Sequence, residues 1–241
     1  MRFGSFLFAL LLTSTVLAET VKLTSLEWPP YSGADLPEQG ASIAVAKAAF
    51  NAMGHELQVD FFPWTRAVKL AEKQGSGYMG YFPEYYYESD TFSFSDPIGK
   101  GPLGLVEAKG NPITWSKIND LTKYTVGVVQ DYVNTEELDK RIAAGDIDAQ
   151  AVTSDDKNLR KLVAGRIDTA VIDANVFNYL VNNDQQLSSL ADKLQMNARL
   201  LTEKKLFVAF KNTDEGNRWR EIFNQGLQKI DVESIMNEHM Q

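Results

Sequence analysis

The chain contains no cysteine in its 241 residues. Disulfides are thereby excluded, and so is a lipid-modified cysteine at a processed N-terminus. Histidine is almost missing as well, with only two, His55 and His239. That leaves too few ligands for a zinc site, and a Ser-His-Asp arrangement would have to use one of this pair. His55 follows a helix stop at Gly54 and His239 lies close to the C-terminus, so both are expected at the surface. Clusters of Lys and Arg are lacking too. At a net charge of −8 the chain has no electrostatic case for nucleic acid or an anionic membrane. Neither a metal ion nor a cofactor is expected.

Long apolar runs are equally scarce. Phe6 to Leu12 is too short to cross a bilayer, and no later stretch approaches the roughly 20 apolar residues such a helix needs. Together with Arg2 and the small or apolar Val16-Leu17-Ala18, that run reads instead as a secretory signal over residues 1–18, cleaved after Ala18. An exported chain without lipid or disulfides is expected in a periplasm, stabilised by core burial alone.

What is present is an alternation of short apolar runs with amphipathic stretches, the pattern of an α/β protein. Strands are expected at 21–28, 56–62 and 78–81, with helices at 42–53 and 65–74. A second set has strands at 125–130, 150–153 and 169–172 and helices at 134–144 and 155–164. Helical stretches at 177–181 and 187–194, a long strand at 201–210 and an amphipathic helix at 214–230 complete it, with Trp219 in the core. The glycine-rich but apolar Gly99–Val106 suits a strand crossing between two lobes. The lobes are expected as 19–104 and 105–203, with 204–241 returning to the first.

Aromatics concentrate on the loops that follow strands: Trp28 and Tyr31 after the first, Trp64 after the second, and Tyr81 with the Tyr85-Tyr86-Tyr87 run after the third. Such side chains are costly to leave in water, so they mark a binding cleft or a partner surface. Parallel sheets place ligands at the carboxyl ends of their strands. Tyr85, Tyr86 and Tyr87 do not fit one pocket together, and Tyr132 stands at the mouth of the second lobe. The acid pairs Glu136-Glu137 and Asp155-Asp156 open helices, where they favour the macrodipole.

Several of these segments resemble family 3 bacterial solute-binding proteins, the polar amino acid receptors of ABC transporters. They are Trp28-Pro29-Pro30-Tyr31, Pro63-Trp64-Thr65-Arg66-Ala67, Phe94-Ser95-Asp96-Pro97, Val126-Gly127-Val128-Val129-Gln130 and Ala164–Asp173. The resemblance implies the type II periplasmic-binding fold, two lobes closing on a small-molecule ligand, an inner-membrane ABC permease as partner, and a monomer. It also implies that Trp28 stacks on the ligand and that Asp173 holds its ammonium, a pairing favoured in a closing cleft. Asp173 also suits a plain helix cap.

The chain departs from that family at two points. Members that bind α-amino acids usually carry an Arg shortly before Phe-Ser-Asp, yet here no Lys or Arg occurs from Gln74 to Gly99. The second-lobe Gly-Thr-Thr is replaced by Asp131-Tyr132-Val133. Arg66 is the candidate substitute anchor for a carboxylate; without it the cleft suits a cationic amine. The candidate ligand-binding set is therefore Trp28, Tyr31, Trp64, Arg66, Tyr81, Tyr85, Tyr132 and Asp173, with no catalytic residue. Two alternatives stay open: an enzyme on this scaffold of the cyclohexadienyl dehydratase type, and a sensor acting with a membrane partner.

Overall fold

The computed structural model describes residues 18–240. The segment read as an export signal lies, apart from Ala18, outside the described residues.

The first unit runs β1 (Thr20–Ser25), α1 (Ala41–Asn51), β2 (Glu56–Phe61), α2 (Trp64–Glu72) and β3 (Gly80–Tyr85). After it come β4 (Phe92–Phe94) and the long β5 (Gly99–Ala108). A second unit of the same kind follows: β6 (Val126–Val129), α3 (Glu136–Ala143), β7 (Ala149–Val152), α4 (Asp155–Val163) and β8 (Thr169–Asp173). The chain ends with α5 (Ala174–Asn183), α6 (Gln185–Ser188), β9 (Leu194–Met196), β10 (Thr202–Lys211), α7 (Asp214–Leu227) and α8 (Val232–Glu238). Local signals set these bounds. Gly54 (φ 79°) and Gly165 (φ 66°) take the left-handed conformation just past α1 and α4, while the Thr135 and Thr213 side chains accept backbone N–H groups at the starts of α3 and α7.

The strands lie in the order β2-β1-β3-β10-β5-β8-β6-β7. β1 pairs in parallel with β2 and β3, and β6 in parallel with β7 and β8, so each unit is a small parallel sheet. The two are joined by antiparallel strands. The first half of β5 pairs with β10 through Gly99–Leu103 and its second half with β8 through Leu103–Glu107, while β10 goes on to pair with β3. Two lobes thus share two crossing strands. The C-terminal part returns to the first lobe: α7 packs on α1, with Phe50 against Trp219 and Phe223 at ring separations of 6.0 and 4.9 Å.

The structure corrects several expectations. His55 is buried, with its ring edge-on to Trp219 at 5.1 Å and the Glu19 N–H donating to Nδ1 at 3.3 Å. α7 folds back over the end of α1 and covers it. The helix expected at 187–194 is the single turn α6, a short 3₁₀ turn at Ala191–Lys193 and then β9. The free edge of β5 takes up β9 as a strand, and that pairing outweighs the local helical periodicity.

β3 runs four residues beyond the expected strand end at Tyr81, through Pro83 and Glu84. Pro83 is tolerated because the ladder to β1 has already ended at Tyr81, and β10 bulges between Phe207 and Ala209 on the other side. That extension places Glu84 inside the sheet end.

Candidate ligand-binding cleft

The side chains that meet between the lobes stand at the carboxyl ends of the parallel strands. Trp28 and Tyr31 follow β1, Trp64 follows β2, Tyr81 ends the parallel ladder of β3 with β1, and Glu84 and Tyr85 end β3 itself. From the other lobe, Tyr132 follows β6, Asp155 follows β7 and Asp173 ends β8. The ends of both sheets face one another across the cleft, the position at which α/β sheets bind ligands.

The aromatic rings form two groups. Trp28 stacks on Tyr31 with centroids 4.6 Å apart and meets Tyr85 edge-on at 6.1 Å. Trp64 meets Tyr81 edge-on at 5.3 Å within its own lobe and Tyr132 at 5.9 Å across the cleft. Polar contacts tie the lobes as well. The Trp64 indole N–H donates to the Asp131 carbonyl at 3.0 Å, and the Thr65 hydroxyl donates to the Asp131 carboxylate. The Tyr31 hydroxyl lies 3.2 Å from both Asp173 oxygens and accepts from Asn175 Nδ2 at 2.8 Å.

Two adjoining cavities open on these rings and share Leu26, Trp28, Trp64 and Tyr132 as walls. The inner one encloses about 20 Å³ and adds Pro83, Glu84, Tyr85, Val133 and Leu206. The outer one holds about 380 Å³ and adds Glu27, Asp155 and Asp156 among others. No Lys or Arg lines either. Tyr85 lines the inner cavity and is buried, and its hydroxyl is without a hydrogen-bond partner.

Burial dominates the electrostatics. It pushes the Glu84 carboxyl up to about 8, against partial compensation from the Tyr85 N–H, the Lys204 ammonium and the Tyr81 hydroxyl. Asp155 rises to about 7 through burial and the nearby Asp173 charge, offset in part by the Trp28 indole N–H. Asp173 rises to about 6 through burial, although the Asn175 and Val176 N–H groups and the Tyr31 hydroxyl favour its charged form. Burial also raises the Tyr85 and Tyr132 hydroxyls well above the ordinary tyrosine range, with Asp173, Tyr31 and then Asp155 adding to Tyr85, and Asp155 and Glu84 adding to Tyr132. Among the described residues, none of these three carboxylates is in an ion pair with Lys or Arg. Nor do three His, Cys, Asp or Glu side chains among those residues converge on one point as metal ligands would.

Of the sequence-derived candidates, Trp28, Tyr31, Trp64, Tyr81, Tyr85, Tyr132 and Asp173 are brought together here. Tyr31 and Tyr81 are fully buried and, like Asp173 behind Tyr31, lie off the wall of both cavities; Asp173 also caps α5. Arg66 stands apart. It is exposed, lies 5.0 Å over the Phe62 ring, and lines an outer groove with Lys69 and Lys73. Tyr86 is 58% exposed and Tyr87 bonds the Tyr81 hydroxyl at 2.8 Å, so only Tyr85 of the three consecutive tyrosines reaches the inner cavity. Glu84 and Asp155 are the cleft residues that sequence reasoning missed. A signal existed for Glu84 alone: an acid set between Phe82-Pro83 and the Tyr85-Tyr86-Tyr87 run.

No protein-family model matches the chain, and no curated protein matches it in sequence. Solved structures do. A histidine kinase sensor domain with similarity to periplasmic binding proteins superposes with a TM-score of 0.77 at 18% identity, covering 91% of this chain and 95% of that one. An ancestral arginine-binding protein bound to arginine gives 0.73 at 16% identity, over 91% and 96% of the two chains. The GluR0 ligand-binding core from Nostoc punctiforme, in complex with L-glutamate, gives 0.70 at 17%, again over 91% and 96%. With its two parallel units, shared crossing strands and these superpositions, the chain has the two-lobed type II periplasmic-binding-protein fold.

Proposed function

We propose that the protein is a periplasmic receptor that captures a small polar amino compound, an amino acid or an amine, in the cleft between its lobes. It hands that compound to an ABC-type permease. The observation that carries this reading is the convergence of strand ends from both lobes on an aromatic, acid-bearing cleft in which the buried Tyr85 hydroxyl has no partner. Rings at that position offer stacking and cation–π contact, and the acids complement an ammonium. We place the hinge in the paired stretch Gly99–Leu103 with Thr202–Leu206, where only two strands join the lobes. Amino acid ABC transporter substrate-binding proteins share the fold, which supports the assignment to uptake. A dehydratase acting on anionic acids would want a basic cleft, and the walls here hold Glu27, Glu84, Asp155 and Asp156 without Lys or Arg.

The test is a thermal-shift panel on protein unfolded and refolded to remove carried-over ligand. Amino acids, amines, polyamines and small organic acids form the panel. A ligand at a hundred times its Kd stabilises by about 2.7 kcal/mol, which raises Tm by several degrees. A shift confined to amino compounds supports the receptor. Shifts with organic acids alone, or turnover of prephenate or arogenate, would replace it with the enzyme.

A further inference from the structure

The two cavities differ in where their acids stand. Glu84 lines the inner cavity, Asp155 and Asp156 line the outer one, and Trp28, Trp64 and Tyr132 form the wall common to both. Asp155 lies near enough to Asp173 to feel its charge, whereas Glu84 is on the wall of the inner cavity alone. The Tyr132 hydroxyl, between them, is influenced by both Asp155 and Glu84. The cleft therefore has two separate negative ends joined by an apolar, aromatic passage. Glu84 and Asp155 line different cavities, so a single compact cation paired with one leaves the other without a partner.

The positive groups nearby are few. Lys204 acts on Glu84 and stands over the Tyr85 ring, 4.9 Å from its centroid, but is on the wall of neither cavity. Arg66, Lys69 and Lys73 line a neighbouring groove that shares Pro63, Trp64 and Thr153 with the outer cavity, and none of the three is on the wall of either cavity. A ligand carboxylate placed in the cleft would meet acids and rings with no cation on the walls, and desolvating it there without a counter-charge is strongly unfavourable.

From this arrangement we infer that the cleft selects a linear dication without a carboxylate, a diamine or short polyamine. One ammonium pairs with Glu84 in the inner cavity and the other with Asp155 in the outer one, and the methylene chain lies across Trp28, Trp64 and Tyr132. The buried, unpartnered Tyr85 hydroxyl feels the charges of Asp173 and Asp155 and accepts from the ammonium at that end. The inner cavity, about 20 Å³, has room for one water-sized group, the size of an ammonium head. This inference rests on the receptor reading above and narrows it.

The experiment compares each diamine with the amino acid that differs from it by one carboxylate. Refolded protein is titrated calorimetrically with 1,5-diaminopentane and lysine, with 1,4-diaminobutane and ornithine, and with butylamine as a one-ended probe. The diamines are expected to bind at least a hundredfold tighter than their amino acids, and 1,4-diaminobutane at least tenfold tighter than butylamine. Glu84→Gln and Asp155→Asn should each bring 1,4-diaminobutane down to the butylamine level. Lysine or ornithine binding as tightly as its diamine overturns the inference and leaves the receptor standing, as does loss of that amino acid affinity in Lys204→Met. Equal affinity for butylamine and 1,4-diaminobutane overturns the two-ended site. Silence with every amine and every amino acid overturns the receptor reading as well. The ligand pairs decide the matter on the unaltered protein, so a variant that fails to fold removes no outcome.

Discussion

The Asp173 carboxylate accepts the Asn175 and Val176 N–H groups at 2.8 and 3.3 Å and faces the Tyr31 hydroxyl from behind. Its cap and its charge are separable, because Asn caps a helix as well as Asp does. Asp173→Asn is expected to leave Tm within a few degrees while weakening an ammonium ligand by about tenfold, read by calorimetry beside circular dichroism; unchanged affinity would reduce the residue to a cap. Tyr85→Phe works in the opposite sense. Its unpartnered hydroxyl costs about 1–3 kcal/mol in the ligand-free fold, so the variant should resist urea better yet bind ligand more weakly. The aromatic half of the site was legible in the sequence because each ring stood beyond a strand end, where a core tryptophan would be out of place. The acidic half was not. Asp155-Asp156 and Glu136-Glu137 open their helices with the same chemistry, yet Glu136 and Glu137 are exposed while Asp155 is 6% exposed. Only the opposing lobe, which covers Asp155, tells the pairs apart.

At the scale of elements, β5 crosses directly beneath the Tyr31–Asp173 pair. A Cβ on Gly101 would stand 2.0 Å from Asp173 Oδ2 and 2.3 Å from the Tyr31 hydroxyl, so the close approach of strand to site requires glycine there. Gly101→Ala is expected to push both side chains off position, lowering Tm by several degrees and ligand affinity by more than tenfold. A crystal structure of the variant with the Tyr31–Asp173 contact intact would refute that account. The strand-helix alternation of both units and the crossing strand at Gly99–Val106 were readable because period and punctuation agree along those stretches. Elsewhere tertiary partners decided. β9 is a strand because β5 offers it an edge, and β3 runs through Pro83 because its ladder to β1 has already closed. Neither partner is visible from local spacing.

The whole molecule sets three raised carboxyls between its lobes, and this gives stability and binding opposite responses to pH. Glu84 is pushed up from 4.5 to about 8, Asp155 from 3.8 to about 7 and Asp173 from 3.8 to about 6. Between those limits the folded, ligand-free protein holds more protons than the unfolded chain. The stability these groups contribute is therefore full below the unfolded values and is lost as pH rises through the folded ones. A cationic ligand needs the same carboxyls ionised, and an alkylammonium stays charged to about pH 10. Its affinity should climb over the interval in which the free protein weakens, by up to about tenfold per pH unit for each proton released. Tm without ligand is expected to fall from pH 5 to pH 8.5 while Kd falls too. Titrations in two buffers of different ionisation heat would count the protons expelled. Glu84→Gln should flatten both curves in their upper part, where the Glu84 carboxyl is the last of the three to ionise. Proton release that is absent in the native protein, or unaltered in the variant, would mean that the ligand does not meet Glu84, and the inner end of the cleft would then need another occupant.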